Sequence, residues 1–222
     1  MTYPFFREIL RIARLFLGLF GYALGVVMTL RADLGYGPWD VFHQSVALHL
    51  GLTFGRAIML TSLVIVLITL FMKENVGFGA LCNMIFIGIF TDKLLSWNLI
   101  PLMRSFVSSV AMLFGSLFVM AAATFLYIGA GYGAGPRDSL MVGLTKRTGK
   151  PVGLCRSCLE GTFLLIGWLL GGNAGIGTVI HVFGIGAAVQ IVFYVMRFDV
   201  KTIHQESCHE TFMRLKNMLI IW

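Results

Sequence analysis

The chain has 222 residues, of which 58% are hydrophobic and only 12% are charged. Soluble domains carry about 25% charged residues, so this chain lacks the polar surface that a water-soluble fold needs. The same composition excludes a disordered chain and a disulfide-dense secreted scaffold. We interpret the net charge of +7 as the result of basic residues in cytoplasmic loops that face anionic lipid. We therefore expect no nucleic-acid partner. The sequence thus predicts an integral membrane protein surrounded by the lipid bilayer.

Apolar runs predict an all-α polytopic protein with six transmembrane helices, because about 20 residues cross the hydrocarbon core. Two shorter segments, Pro38–Leu50 and Pro136–Thr148, follow Gly-rich turns and begin with Pro, which suits the first turn of a helix. We expect these to be half-helices that do not cross the membrane. The whole chain, 1–222, is expected to be a single membrane domain with a cytoplasmic amphipathic tail at 197–222. The six runs are 13–31, 56–72, 78–97, 106–128, 154–172 and 176–196.

Charge distribution predicts the orientation of the chain. With the N-terminus inside, 13 of the 17 Lys and Arg residues fall on the cytoplasmic side. An excess of positive charge on cytoplasmic loops is the usual bias of membrane proteins. We therefore expect a protein of the bacterial plasma membrane with both termini in the cytoplasm.

An internal repeat appears when the sequence is shifted by 98 residues. Seven of the nine glycines in 19–97 then fall on glycine, whereas composition alone predicts fewer than two. The repeats cover about 15–97 and 113–195. Each contains three spans, and an odd number makes the second copy enter the membrane from the opposite side. The sequence therefore predicts two inverted three-helix repeats, each with one Gly-Pro-x-Asp half-helix.

The two helix-entry turns are the strongest candidates for a functional site. They comprise Gly35, Gly37 and Pro38 in the first repeat and Gly133, Gly135 and Pro136 in the second. Asp40 and Asp138 lie in the first turn of each half-helix, where a carboxylate stabilises the helix dipole. Alternatively, they face a central cavity and contact a solute. Trp39 and Arg137 occupy the variable position, either as pathway residues or as an aromatic anchor and a basic loop residue.

Further polar residues lie within the predicted spans. Bare polar side chains are costly in lipid, so we expect Asn83, Asp92, His181 and Gln190 to face a solute pathway or to form interhelical hydrogen bonds. Arg156 and Glu160 are spaced to pair on one helical face, as a structural ion pair or as a gate. The sequence contains no recognisable catalytic motif and no recognisable set of metal ligands. We therefore expect no enzyme activity, no metal and no cofactor.

A set of motifs extends over both repeats, at 37–44, 133–141, 147–149, 152–153, Arg156 with Glu160, 167–172 and 175–178. These motifs resemble the YczE-type bacterial membrane proteins of the YczE/YyaS/YitT group. The similarity covers about residues 12–196 and implies a multi-pass protein of the bacterial plasma membrane, without implying a substrate. Ala80 and the His49-Leu50 pair depart from the pattern of the group.

The favoured hypothesis is a secondary transporter or permease for an unknown small solute, with its site between the inverted repeats near the midplane. A passive channel of similar plan is the first alternative. The second alternative is a non-transporting membrane partner, including a regulatory or substrate-capturing subunit, and a homo-oligomer is compatible with each hypothesis.

Overall fold

The computed structural model describes residues 3–133, 135–199 and 203–220, which form helices and no strands. Six helices, α1, α3, α4, α5, α7 and α8, are long and apolar enough to cross a membrane. The predicted all-helical fold with six spans is thereby confirmed. The helices are α1 Tyr3–Ala32, α2 Pro38–Leu50, α3 Phe54–Phe71, α4 Phe78–Trp97, α5 Phe106–Gly129, α6 Pro136–Thr148, α7 Val152–Leu169, α8 Ile176–Val195 and α9 Cys208–Ile220.

The boundaries of the two half-helices agree with the sequence prediction, whereas α1 begins well before the predicted position 13. Arginine is a good helix former, so Arg7, Arg11 and Arg14 extend the helix beyond its apolar part. The apolar pattern predicted the part of α1 that suits the lipid bilayer, but it did not predict the more polar helical turns that precede residue 13.

The two halves of the chain contain the same order of elements and pack in corresponding ways. The helices α1 and α5 lie along each other in the centre, with α4 beside α1 and α8 beside α5. Each half-helix crosses to the other half, since α2 packs on α7 and α6 packs on α3. Leu15 and Leu19 of α1, and Leu117 of α5 where it packs on α8, are almost completely buried. The opposite threading of the two halves stays a prediction.

Two glycine turns fit the half-helices against the opposite half. Gly35 and Gly133 have φ angles of +104° and +101°, a region that favours glycine. A Cβ atom on Gly35 would lie 2.4 Å from the Gly175 nitrogen, and one on Gly133 would lie 2.6 Å from the Cα atom of Gly77. Backbone contact of this kind excludes any side chain, which explains why glycines recur at these repeat positions.

Matching backbone hydrogen bonds join the halves beside these turns. The Gly177 N–H donates to the Leu34 carbonyl at 2.6 Å, and the Gly79 N–H donates to the Tyr132 carbonyl at 2.7 Å. The two bonds connect positions that are equivalent under the shift of 98 residues. Each half-helix entry is therefore anchored to the start of a spanning helix from the other half.

The halves differ in how their last two helices meet. In the first half, α3 and α4 pack closely, and a Cβ atom on Gly55 would lie 2.0 Å from the Gly88 carbonyl oxygen. In the second half, α7 and α8 lack such extensive contact, and Cβ atoms on Gly153 and Gly186 would have no heavy atom within 4 Å. Equivalent surfaces are thus closed in one half and separated in the other.

The C-terminal segment packs on the same end of the bundle as the start of α1. Glu206 accepts hydrogen bonds from Arg11 and Arg214, each at 2.9 Å. Arg214 and the Tyr132 hydroxyl also donate to Glu8. We call these five residues the tail cluster. A helix, α9, does form in the predicted tail, but this ion-pair cluster attaches it to the protein, a contact that the prediction of an interfacial helix missed. Residues 200–202 and 221–222 of the predicted tail lie outside the described residues.

Candidate functional site

A cavity of about 540 Å³ lies between the two halves, and both helix-entry turns border it. Its volume falls within the range of about 300–1,000 Å³ that is typical of small-molecule sites. The wall includes every residue of the two Gly-Pro-x-Asp turns and faces of α1, α3, α4, α5, α7 and α8. The predicted pathway residues that border the cavity are Trp39, Asp40, Asn83, Arg137, Asp138, His181 and Gln190, together with the pair Arg156 and Glu160.

The Arg137 side chain extends from α6 to α2 and joins the two half-helices. Its guanidinium carbon lies 4.8 Å from the centre of the Trp39 ring, and Trp39 stacks on Phe163 of α7 at 4.0 Å between ring centres. Arg137 also donates to Nε2 of His43 at 2.6 Å. A planar guanidinium both stacks and donates in a way that a lysine ammonium does not. The different residues in the variable position of the two turns, Trp39 and Arg137, are therefore contact partners.

His43 is a buried member of this network that sequence reasoning missed. Its side chain is completely buried, and because Nε2 accepts from Arg137, Nδ1 carries the proton and donates to the Thr61 hydroxyl at 2.8 Å. Thr61 in turn donates to the Ala57 carbonyl at 2.9 Å. The available signal was the spacing of four residues from Trp39, which places both rings on one face of α2.

Asp40 and His181 hold polar atoms that lack hydrogen-bond partners among the described residues. These atoms are Oδ1 of Asp40 and both ring nitrogens of His181, all of them buried. The two side chains are only 4% and 6% exposed. Buried polar groups are almost always paired, and leaving one unpaired costs about 1–3 kcal/mol. Unpaired groups beside a cavity are therefore positioned to bind a ligand.

The second turn has a related but different environment. A Cβ atom on Gly135 would lie 3.3 Å from the Asn83 side chain and 3.7 Å from Oδ2 of Asp138. At the first turn the equivalent neighbours of Gly37 are His181 and Asp40. Each turn thus has its own carboxylate and, beside it, a nitrogen-bearing side chain that comes from the opposite half.

The ion pair of α7 lies where the cavity approaches the end of the bundle that carries α9. Arg156 donates to Glu160 at 2.9 Å. Gln190 of α8 and Gln205 of the tail segment border the cavity in the same region. Gln205 is held by the Ile128 carbonyl at 3.0 Å and by the Gly133 N–H at 3.2 Å. The tail segment therefore forms part of the cavity wall.

Asp92 lies in a different place from the other predicted pathway residues. It is not among the residues that border the cavity. Its carboxylate instead accepts from the Thr53 hydroxyl at 2.5 Å and from the Gly55 N–H at 2.7 Å, at the start of α3. An acceptor at a helix N-terminus satisfies N–H groups that have no partner within the helix. Of the two alternatives for Asp92, these contacts favour an interhelical hydrogen bond, which fastens α4 to α3. A place for Asp92 on a solute pathway stays a prediction.

Comparison with known proteins relates this arrangement to a family. Residues 9–194 match the model of a family described as "Family of unknown function (DUF6198)". The chain belongs to this family. It is 37% identical over 175 residues to the "Uncharacterized membrane protein YczE" of Bacillus subtilis, covering 78% of this chain and 80% of the relative. It is 35% identical over 177 residues to an "Uncharacterized protein" of Haemophilus influenzae, covering 78% of each chain. No solved structure matches significantly.

The DUF6198 match spans most of α1 and all of α2 to α7, and ends within α8. It therefore includes both helix-entry turns, the Arg137 network and the contact between Asp92 and α3. Gln205 and α9 lie beyond the matched segment. Most of the cavity wall is thus formed by the segment that matches DUF6198, and the tail segment with Gln205 adds a part that lies outside the match.

Proposed function

We propose that this membrane protein is a secondary transporter for a small solute, with the binding site in the cavity between the two Gly-Pro-x-Asp turns. The observation that carries the proposal is a cavity of solute size whose wall holds the buried, unpaired groups of Asp40 and His181. Discontinuous helices that enter a midplane site from both halves are a recurring plan of transporters.

Inverted repeats are part of this proposal. The exchanged packing of α2 on α7 and of α6 on α3 supports them. So do the equivalent backbone bonds at Leu34 and Tyr132. A two-fold axis in the membrane plane produces such pairs of contacts.

The difference between the two halves favours a transporter over a passive channel. The α3–α4 contact closes one side of the cavity, while α7 and α8 are separated on the other. In alternating access between inverted repeats, the transporter changes state when each repeat adopts the packing that the other repeat had before. We infer that the opposite state opens α3 from α4 and closes α7 on α8 through Gly153 and Gly186. The Asp92 contacts with α3 hold the closed side in the present state.

The proposed orientation places the open side of the cavity in the cytoplasm of a bacterium. The end of the bundle that carries the tail cluster also carries Lys146, which pairs with Glu74 at 2.5 Å. The charge count of the sequence assigns 13 of the 17 basic residues to this side. The positive-inside rule then puts both termini in the cytoplasm and makes the α3–α4 contact the outer gate.

Uptake by proteoliposomes tests the proposed function. A panel of labelled amines, amino acids and organic anions is offered to wild type, Asp40→Asn and Asp138→Asn. Asp33→Asn is a matched control, because Asp33 is exposed in the loop before α2. We expect saturable uptake of at least one solute, lost in Asp40→Asn and unchanged in Asp33→Asn. Equal flux in all four proteins, or none above protein-free liposomes, would refute the proposal.

A further inference from the structure

The chemistry of the cavity wall identifies a class of solute, an inference that rests on the proposed transport function. Three buried atoms need a partner: Oδ1 of Asp40 and the two ring nitrogens of His181. A carboxylate oxygen only accepts hydrogen bonds, and a neutral imidazole has one acceptor and one donor. Two of the three positions therefore accept a hydrogen bond from a donor on the ligand.

These groups lie next to each other around Gly37. A Cβ atom on Gly37 would lie 3.1 Å from Oδ2 of Asp40, 3.0 Å from Cε1 of His181 and 3.1 Å from its Nε2. The missing side chain thus leaves the carboxylate and the imidazole on either side of one small space. A single ligand group can reach both.

The cationic side chains of the wall are already engaged elsewhere. Arg137 lies over Trp39 and donates to His43, and Arg156 is paired with Glu160. Because neither guanidinium donates to Oδ1 of Asp40, the wall offers a carboxylate without a bound cation. Burial of an isolated carboxylate is expensive, so it has to pair or take up a proton.

The geometry points to a small organic cation with N–H donors, an ammonium, guanidinium or amidinium group, as the ligand of Asp40 and His181. One N–H donates to Oδ1 of Asp40, and a second donates to the acceptor nitrogen of His181. The ring of Trp39 and the α6 turn with Asp138 also border the cavity. The charge of the solute is balanced by the Asp40 carboxylate, whose Oδ1 has no hydrogen-bond partner in the described part of the chain.

Competition with protons follows from this arrangement. At a pH where Asp40 is protonated, binding of the cation displaces that proton to bulk water and the cation takes its place. One positive charge enters the site and one leaves, so charge balances, and the cycle exchanges one cation for one proton across the membrane. The other titratable groups facing this space are Tyr22 of α1, Tyr127 of α5, Arg137 and Asp138 of α6, Arg156 and Glu160 of α7, and His181 of α8.

Three planar solutes of similar size test the proposal: guanidinium, urea and nitrate. They carry charges of +1, 0 and −1, and guanidinium and urea share N–H donors. Binding of each labelled solute to the full-length protein in nanodiscs is measured between pH 5 and pH 9. We expect saturable binding of guanidinium only. In the range where Asp40 is protonated, its apparent Kd should rise about tenfold for each unit that the pH falls, as single-proton linkage requires.

Variants assign the binding to the residues. Asp40→Asn is expected to weaken guanidinium binding at least tenfold and to remove its pH dependence, and His181→Gln to weaken it less, whereas the control Asp33→Asn leaves it unchanged. The comparison of three solutes uses wild type alone, so it holds even where a variant does not fold.

The outcomes separate this inference from the proposed function. Guanidinium binding without flux in proteoliposomes would support the solute class and overturn transport. Saturable flux of urea or nitrate without guanidinium binding would support transport and overturn the solute class. Absence of guanidinium binding to folded wild type at every pH would overturn the inference.

Discussion

Removing the Asp92 carboxylate should open the outer gate. In the present state this carboxylate accepts from the Thr53 hydroxyl at 2.5 Å and from the Gly55 N–H at 2.7 Å. In the proposed outward-open state α3 has moved away from α4, so both bonds are absent. Asp92→Ala therefore removes stabilisation from the closed state alone, and the equilibrium shifts toward the open state.

The size of the shift follows from the two bonds. A hydrogen bond to a charged group contributes about 1.5–3 kcal/mol, and an ordinary intramolecular one about 1 kcal/mol. Thr53 is exposed and Asp92 is half-buried, so water competes for both bonds. We therefore take about 1 kcal/mol for each bond, or about 2 kcal/mol for the two together. With about 1.4 kcal/mol for each factor of ten, the open state should gain about 30-fold in population relative to the closed state.

Cysteine labelling measures this population. Ser62 borders the cavity and is 4% exposed, so Ser62→Cys reports its accessibility in a background where Cys82, Cys155, Cys158 and Cys208 are replaced. In Asp92→Ala, labelling by a membrane-impermeant maleimide should become about 30-fold faster from outside and slower from the cytoplasm. The control Lys93→Ala changes an exposed neighbour and should not alter either rate. Unchanged rates in Asp92→Ala would refute the assignment of Asp92 to a gate.

The remaining predictions concern stability and pH. Gly177→Ala should lower the free energy of unfolding by about 1–3 kcal/mol, because its Cβ would lie 2.8 Å from backbone oxygen, whereas Gly161→Ala, with open space around it, should be neutral or slightly stabilising in thermal unfolding. Thr61→Val leaves the buried His43 N–H without a partner and should cost about 1–3 kcal/mol in the same assay, while Ser96→Ala, an exposed control, should cost little. Acid should release α9 from the bundle. Burial alone would raise the pKa of Glu206, but Arg11 and Arg214 outweigh the effect of burial and lower that pKa. The stabilisation is therefore present above the ordinary glutamate pKa of about 4.3 and disappears as the pH falls through the lowered value. The hydrogen-exchange protection factors of α9 should fall over that range, and unchanged protection factors would contradict the role of the tail cluster.

Local patterns predicted much of the fold because they depend on short-range chemistry. The Pro residues that begin α2 and α6 and the glycines that end them fixed both half-helices to the residue. Spans were recognisable from their apolar length, which a bilayer imposes. The start of α1 was missed because hydrophobicity reports contact with lipid and not helical conformation.

Contacts between distant segments were less accessible to sequence reasoning. His43 meets Arg137 across 94 residues, and Arg214 meets Glu8 across 206 residues. Neither pair has a local spacing that marks it. The cost of a polar residue within a span left two alternatives for Asp92, a solute pathway or an interhelical hydrogen bond. Its contacts with the start of α3 favour the second. The expectation that the two Asp residues contact solute stays a prediction.

The threading of the two halves is the central claim, and Thr53 and Pro151 test it because they occupy equivalent positions at the starts of α3 and α7. Single cysteines at these two sites, labelled in intact cells with an impermeant maleimide, should react from opposite sides: Thr53→Cys from outside, and Pro151→Cys only after the cells are opened. Labelling of both sites from the same side of the membrane would contradict the opposite threading of the two halves, and with it the proposed solute site between them.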